Sequence, residues 1–399
     1  MSMNAEPSHR VLPTWPMYAD DEIAAVQQVL ASGKVNYWTG TEGREFEREY
    51  AAYVGVDHGI ALANGSVALE LALRALHIGA GDEVIVTPRT FIASASSIVI
   101  CGAAPVFADV DPDSQNITAE TIAPHINSRT RAIILVHLAG WPCDMAPILE
   151  LAKQRDLKII EDCAQAHGAT YDGRPVGSFG DVAAFSFCQD KIITTGGEGG
   201  MLVTRSRSLW ERAWSFKDHG KSHAAIFDRK SASNGPFNWV HESFGSNYRM
   251  TEMQAAIGRI QLRKLDYWIT QRRANAQVLI ERLSTIPALR IPTPGILMHH
   301  AYYKFYAFVN TRQLRPGWGR DRILTAINRL DVPCFGGSCS EVYREVAFKH
   351  SRFRREGRLP VARELGDTSL MFPVHPTMTP DDMVHIANAV KYVMQQAQA

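Results

Sequence analysis

The sequence predicts an α/β fold in which helices cover both faces of a mostly parallel central sheet, followed by a smaller C-terminal α+β domain. Short apolar runs alternate with segments of helical spacing from about residue 58 onward, and such alternation is typical of parallel sheets. Most of the runs are continuously apolar, as strands buried on both faces should be. The predicted strands span residues 59–63, 84–86, 106–108, 132–136, 158–160, 182–185 and 201–203.

The first predicted helix is marked by its two ends. The acidic residues 20–22 stand where the helix dipole favours negative charge, and Gly33 stands where a helix would stop. Residues 66–76 and 146–155 also show helical spacing and lie between predicted strands. Because parallel sheets bind ligands at the carboxyl ends of their strands, functional residues are expected at that edge.

Residues 90–108 need a separate interpretation, because they contain no charged side chain and approach the length of a membrane span. Several serines lie among them, and Pro105 opens a strand-like run. We therefore predict a buried helix followed by a buried strand rather than a membrane segment.

One long helix separates two predicted domains. Residues 251–283 keep helical spacing throughout, and a proline-rich stretch follows at 287–294. The predicted domains are residues 1–250, a large α/β domain with an N-terminal segment, then the connecting helix 251–283, then residues 284–399, a small α+β domain.

The remaining segments of the chain differ in character. Residues 302–309 predict a strand, residues 320–330 a helix, and a C-terminal helix begins near Pro380. Residues 219–246 are polar and rich in Ser, Lys, Asn and Gly, which predicts a long mobile loop.

The composition describes a globular chain with balanced charge. Among 399 residues, 42 Lys and Arg face 41 Asp and Glu, for a net charge of +1. This balance leaves no electrostatic footprint for nucleic acid or an acidic membrane surface. The six cysteines form no disulfide framework, and residues 1–10 lack the apolar run of a signal peptide. We therefore expect a soluble cytoplasmic protein.

A candidate anion site follows the first predicted strand. Asn64, Gly65 and Ser66 open the helix predicted there. A Gly–Ser turn at a helix N-terminus offers backbone N–H groups and a hydroxyl to a phosphate. The same residues would also make an ordinary helix N-cap, so this motif alone is weak.

A carboxylate and a lysine follow two other predicted strands. Asp162 comes after residues 158–160, and a buried carboxylate there requires a cation such as a protonated pyridine nitrogen. The alternative is that Asp162 caps the next turn. Lys191 comes after residues 182–185 and leads into the glycine-rich residues 194–200. Burial favours the neutral amine that forms a Schiff base, although a surface lysine beside a glycine turn would look similar.

The three features together predict pyridoxal 5′-phosphate (PLP) as the cofactor, because they supply a charge partner, a covalent anchor and a phosphate cradle. The chain resembles the DegT/DnrJ/EryC1/StrS family of sugar aminotransferases, which have the fold type I PLP-transferase architecture. The resemblance extends from residues 38–40 to residues 372–376. Its most specific motifs are residues 162–169, 186–200 and 245–250.

The resemblance implies the roles of the residues around the cofactor ring. Lys191 would hold PLP as a covalent internal aldimine, and Asp162 would pair with the pyridine nitrogen. Gln165 would lie beside the ring and its phenolic oxygen, and Phe91 would stack on the ring.

The resemblance also implies how the phosphate is held. Gly65, Ser66 and Ser186 would form the cradle within one subunit. Asn247 would reach the phosphate from the other subunit of a homodimer, so the active sites would be shared.

The implied reaction is a transamination in two halves. L-Glutamate would displace Lys191 and convert PLP to pyridoxamine phosphate, with Lys191 moving the proton. The amine would then pass to a keto-sugar, expected to be nucleotide-linked with its ketone at C3 or C4, in surface polysaccharide or antibiotic sugar biosynthesis. Candidates for binding the sugar diphosphate are Lys217, His219, Lys221 and Arg249, although surface solvation explains Lys217 and Lys221 equally well.

Two other functions are kept open by the sequence. A PLP-dependent sugar dehydratase resembles this chain, but dehydratases of the family have histidine where Lys191 stands. A non-catalytic regulatory protein could use the same scaffold. Cys334 and Cys339 form a spaced pair without a companion ligand cluster, so no metal is expected. Gly196 and Gly197 include one glycine more than the family pattern has.

Overall fold

The computed structural model describes residues 10–227 and 239–399. In chain order, its strands are β1 (His58–Leu62), β2 (Glu83–Val86), β3 (Ala104–Phe107), β4 (Thr130–Val136), β5 (Lys158–Asp162), β6 (Thr170–Tyr171), β7 (Arg174–Pro175), β8 (Val182–Ser186), β9 (Gly200–Thr204), β10 (Leu289–Arg290), β11 (Met298–His299), β12 (Phe305–Val309) and β13 (Ser369–Phe372).

The α-helices of these residues alternate with the strands over much of the chain. In chain order they are α1 (Asp20–Ser32), α2 (Glu42–Val54), α3 (Gly65–Ala75), α4 (Ala93–Ile100), α5 (Ala119–Ile122), α6 (Met145–Gln154), α7 (Arg207–Lys217), α8 (His223–Phe227), α9 (Glu252–Leu283), α10 (Arg320–Asn328), α11 (Val346–Lys349), α12 (Pro360–Thr368) and α13 (Pro380–Ala397).

A seven-stranded sheet forms the centre of the molecule, with the strand order β1-β9-β8-β5-β4-β2-β3. Its strands coincide with the seven apolar runs. Strand β9 pairs antiparallel with both β1 and β8, and the other neighbouring pairs are parallel. The prediction of a mostly parallel α/β sheet is therefore confirmed.

In the part of this sheet formed by β1, β9 and β8, side chains on the two faces enter different hydrophobic cores. Ile60 and Leu62 of β1 join one core, whereas Ala61 between them joins the other. Likewise Ala184 of β8 joins the first core and Phe185 the second. Successive side chains of a strand point to opposite faces, so both faces are covered, which explains why these strands read as continuous apolar runs.

The long helix α9 follows the prediction closely because its N-terminus is encoded locally. The Thr251 hydroxyl accepts the N–H of Gln254, and the Gln254 side chain accepts the Thr251 N–H, which is a capping box. After α9, strands β10, β12 and β13 form a three-stranded sheet, backed by a core that includes α10 and α13 residues. Strand β11 pairs with β6 across the predicted domain boundary, and the division into domains stays a prediction.

Parts of the sequence interpretation need correction. The loop predicted over 219–246 contains the short helix α8, and Lys221 and His241 form a β-bridge. Residues 228–238 of that loop lie outside the described residues. The strand predicted from residue 302 begins only at Phe305.

The uncharged stretch of residues 90–108 contains the helix α4 followed by the strand β3, as predicted. Within the described ranges, no helix has both the length and the apolar character needed to cross a bilayer.

Candidate active site

A cavity of about 960 Å³ opens at the carboxyl ends of the central strands. Seven of the eight predicted site residues line it, namely Gly65, Ser66, Phe91, Asp162, Gln165, Ser186 and Lys191. Residues distant in the chain meet there because β1, β5 and β8 run in the same direction and end at one edge of the sheet.

The N-terminus of α3 forms an anion cradle in this cavity. The Asn64 side chain caps the helix by accepting the Val67 N–H at 3.0 Å, and the first N–H groups of a helix have no intrahelical partner. A Cβ atom on Gly65 would lie 2.6 Å from the Ser186 Cβ. A Cβ on Gly200 would lie 2.3 Å from the Asn64 carbonyl oxygen. The glycines therefore allow two strand ends to close around the site, which fits a bound phosphate.

Replacing Gly65 by alanine should weaken PLP binding by about tenfold or more, because overpacking of this kind costs about 1–3 kcal/mol. Equilibrium titration with PLP, followed by absorbance, measures the effect. Gly79→Ala is the matched control, because an added Cβ at Gly79 would make only ordinary contact, at 3.5 Å. Equal PLP affinity in the two variants would contradict the cradle assignment.

Asp162 ends β5 and is buried in the floor of the cavity, with 4% of its surface exposed. One carboxylate oxygen accepts the Ser94 hydroxyl at 2.7 Å, and the other accepts the Ala164 N–H at 3.1 Å. Burial raises the pKa of Asp162 despite these hydrogen bonds and the positive charge of Lys191. A protonated pyridine nitrogen would supply the missing cation, so this residue fits its expected role.

Lys191 enters the same cavity from the turn after β8. Its Nζ lies 5.0 Å from the centroid of the Tyr303 ring, and its backbone N–H donates to the Cys188 carbonyl at 3.0 Å. Gly196 and Gly197, farther along this turn, have φ angles of +86° and +127°. Both glycines of the longer pattern therefore occupy backbone conformations that other residues rarely adopt.

Trp15 supports Lys191 from the opposite end of the sequence, and sequence analysis did not identify it. Its indole N–H donates to the Lys191 carbonyl at 2.8 Å. The ring packs edge-on against Trp268 and stacks on His375, with centroid distances of 5.1 and 6.1 Å. In the sequence, Trp15 is recognisable only as a tryptophan that precedes the first helix. That position does not indicate a contact with Lys191.

Replacing Trp15 by phenylalanine should lower kcat by up to about tenfold with little change in KM, because one hydrogen bond of about 1 kcal/mol that holds Lys191 is lost. Steady-state kinetics and the pH dependence of the cofactor absorbance measure this effect. Trp210→Phe removes a comparable bond, from an indole N–H to the Gly59 carbonyl at 3.2 Å. If both variants change kcat equally, Trp15 has no special role at Lys191.

His167 holds the end of β8 in place. Its Nε2–H donates to the Ser186 carbonyl at 2.8 Å, so its Nδ1 accepts the Tyr50 hydroxyl at 2.7 Å. Burial lowers the pKa of His167 to about 3, so the ring stays neutral and keeps this tautomer. His167 therefore positions Ser186, one of the predicted phosphate ligands.

Glu161, His137 and Cys163 place three potential metal-ligating atoms within 4.8 Å of one another. The carboxylate of Glu161, however, accepts backbone N–H groups from residues 177–180 and the Nε2–H of His137 at 3.1 Å. His137 Nδ1 in turn accepts the Cys143 N–H. Burial opposes ionisation of Glu161, but these hydrogen bonds more than offset it and lower its pKa. The cluster thus fixes the strand beneath Asp162 through hydrogen bonds.

Gln165 and Phe91 lie at different depths of the cavity. The Gln165 side-chain oxygen accepts the Ala139 N–H at 2.8 Å, which fixes the amide in a buried position. Phe91 is 67% exposed at the mouth of the cavity, so its ring has a free face onto which a cofactor ring can stack.

Asn247 is the predicted site residue that does not line this cavity. It is exposed and forms a β-bridge with Asp218 on a neighbouring segment. A role at the active site of a second subunit is compatible with this placement and stays a prediction.

The residues predicted to bind a sugar diphosphate have different environments. Lys217 is completely buried, 3.7 Å from a Glu47 oxygen and 3.7 Å from the Tyr37 ring centroid. Surface solvation is therefore the wrong explanation for Lys217, and it cannot reach a ligand in this conformation. Lys221 and Arg249 both form ion pairs with Asp218, at 3.0 and 2.6 Å.

The two C-terminal cysteines have separate environments. Cys334 is buried, and its backbone exchanges two hydrogen bonds with the Asn328 side chain. Cys339 is exposed, and its carbonyl accepts the Thr90 N–H next to Phe91. Cys334 is thus structural, whereas Cys339 lies beside the cavity mouth.

Comparison with known proteins places these features in a family. The profile of the DegT/DnrJ/EryC1/StrS aminotransferase family matches residues 16–391. GDP-perosamine synthase of Escherichia coli O157:H7 is 34% identical over 88% of this chain and 91% of its own. UDP-N-acetyl-3-dehydro-alpha-D-glucosamine 3-aminotransferase of Acidithiobacillus ferrooxidans is 34% identical, with 93% of each chain covered.

A solved structure with a similar fold is that of an aminotransferase from Psychrobacter cryohalolentis. It is 52% identical in sequence and superimposes with a TM-score of 0.94, covering 97% of this chain and 99% of the other. The fold type I architecture expected from the sequence is therefore confirmed.

Proposed function

Because the chain belongs to the DegT/DnrJ/EryC1/StrS aminotransferase family, we propose that it transfers an amino group from L-glutamate to a nucleotide-linked keto-sugar. The chain is a PLP-dependent sugar aminotransferase. The specific proposal rests on one observation, which is that Lys191, Asp162 and the N-terminus of α3 line the same cavity.

The residues of the cavity fit PLP. The glycine cradle at α3 suits its phosphate, and the buried Asp162 suits its protonated ring nitrogen. We propose that Lys191 carries the cofactor covalently. When bound, PLP supplies an electron-accepting ring and an aldehyde carbon that can exchange amino groups.

The protein side chains then orient the substrate and move protons. Lys191, once freed by the amino donor, would act as general base and acid on the proton of the donor Cα. Asp162 would stabilise a protonated ring nitrogen, because its buried carboxylate needs a positive charge beside it. Ser186 and Ser66 would hold the phosphate, and His167 fixes the Ser186 backbone.

The acceptor is proposed from the similarity of this chain to two relatives. One is a GDP-perosamine synthase, and another acts on a UDP-linked 3-dehydro sugar. We infer a nucleotide-linked sugar with a ketone at C3 or C4 as the acceptor. A dehydratase is disfavoured because Lys191 stands where dehydratases of the family have histidine.

We further propose a homodimer with shared active sites in the cytoplasm. Asn247 supports the dimer, because it is exposed outside the cavity of its own chain. All six cysteines are free thiols in the structure, which fits a reducing compartment.

Absorbance spectra of the purified protein test the proposed function directly. A yellow PLP band that converts to the pyridoxamine form on addition of L-glutamate is the expected result. A PLP band that ignores L-glutamate would contradict the donor, and colourless protein that stays colourless with added PLP would contradict the catalytic assignment.

A further inference from the structure

A second lysine, Lys304, lines the active-site cavity beside Lys191. It directly precedes β12, and its Nζ lies 4.8 Å from the centroid of the Tyr303 ring. The Nζ of Lys191 lies 5.0 Å from the centroid of the same ring. Both amines therefore lie beside the same ring, in the part of the cavity where the amino group would be exchanged.

Lys304 and Lys191 are the two cationic side chains among the described residues that line the cavity. Lys191 is already assigned to the covalent chemistry, so of these two cations Lys304 is the one available to an anionic ligand. Within residues 10–227 and 239–399, no carboxylate forms an ion pair with it. The adjacent Asp190 accepts the Tyr303 hydroxyl instead.

The positive charge of Lys304 is poorly balanced by its surroundings. Burial, reinforced by the positive charges of Arg272 and Lys191, lowers the pKa of Lys304 to about 8, although Asp190 opposes this change. A half-buried ammonium group without a paired anion is unfavourable. A ligand that brings its own negative charge would remove this cost and form a charge-assisted hydrogen bond.

We propose that Lys304 binds a carboxylate of the substrate. This inference rests on the proposed function, since every amino acid donor presents a carboxylate next to its reacting amine. A carboxylate on the acceptor sugar would satisfy Lys304 equally well. The phosphate of the cofactor has a separate site at α3, beside Ser186. The diphosphate of a nucleotide-linked acceptor is a further anion, but a carboxylate next to the reacting amine is the anion that comes closest to Lys191 and the Tyr303 ring that Lys304 shares.

The test compares PLP-loaded wild-type protein with Lys304→Met, which keeps the length of the side chain and removes its charge. Lys304→Gln is a second neutral variant, and Lys304→Arg retains the charge. Lys391→Met on the exposed face of α13 is the matched control. The cofactor absorbance of each variant establishes that PLP is bound before any comparison is made.

The first arm examines the donor. Two quantities are measured: the concentration of L-glutamate that half-saturates the conversion to the pyridoxamine form, and the Kd of glutarate by calorimetry. If the donor carboxylate binds Lys304, each should rise by about tenfold or more in the neutral variants. Lys304→Arg should recover most of the affinity, and Lys391→Met should match wild type.

The second arm examines the acceptor with UDP-glucuronate and UDP-glucose, which differ by one carboxylate. If Lys304 binds the sugar, wild type should prefer UDP-glucuronate by about tenfold, and the neutral variants should lose that preference. An effect in either arm supports the proposal and identifies the source of the carboxylate. Unchanged affinities in both arms would overturn it.

The failure of this inference can be told apart from failure of the proposed function. If wild-type protein converts L-glutamate normally and the neutral variants match wild type in both arms, only the role of Lys304 is contradicted. Wild-type protein that does not react with L-glutamate contradicts the proposed donor, while the calorimetric measurements still decide whether Lys304 binds carboxylates.

Discussion

Replacing Lys191 by alanine should abolish covalent attachment of PLP and lower transamination by about 10⁴-fold, the upper end of the range for loss of a general acid–base group. The variant would lose both the amine proposed to anchor the cofactor and the group proposed to move the proton. Loss of the yellow absorbance band, together with single-turnover kinetics with L-glutamate, measures the two effects separately.

Lys158→Ala provides the control for this substitution. Lys158 is half-exposed in β5 and pairs with Asp181 at 3.4 Å, so its loss removes a lysine without touching the cavity. Full transamination in Lys191→Ala would refute the assignment of the catalytic lysine.

Replacing Asp162 by asparagine should lower kcat by about 10²–10³-fold, the effect typical of removing one preorganised electrostatic contact at a reacting group. The amide preserves the shape of the side chain but cannot balance a protonated ring nitrogen. PLP should still attach to Lys191, so we expect a normal cofactor content with a shifted absorbance maximum and slow turnover.

A second substitution separates this effect from general loss of stability. Asp181→Asn alters a carboxylate that accepts the Ile159 N–H at 2.9 Å in the same sheet, outside the cavity. Thermal unfolding of the two variants should be similar, whereas only Asp162→Asn should lose activity. A kcat near the wild-type value in Asp162→Asn would show that the ring nitrogen needs no charge partner.

The fold was predictable where the information is local. The seven central strands were recognisable because most of them are buried on both faces and therefore continuously apolar. Helix α9 was predicted from its helical spacing, and its start is encoded locally by Thr251 followed three residues later by Gln254. The antiparallel position of β9 between β1 and β8 was not predictable, since periodicity carries no information about strand order.

The candidate site was predictable to the extent that its residues follow strands in short motifs. Gly65, Asp162 and Lys191 each follow a strand, and parallel strands bring such residues to one edge. Trp15 and Lys304 were missed because their contacts with the site are set by the packing of distant segments. The burial of Lys217 was missed for the same reason, since a lysine at the end of an amphipathic helix is normally exposed.

The close backbone approach of Gly65 and Gly200 has a consequence for laboratory evolution of this enzyme. The end of the cavity that they form leaves no room for even one added methyl group, so random mutation there will mostly produce inactive protein. The mouth, where Phe91 is exposed and the exposed Cys339 lies beside it, has space to vary. Libraries that seek acceptance of new sugars should therefore be concentrated at the mouth and leave the glycines fixed.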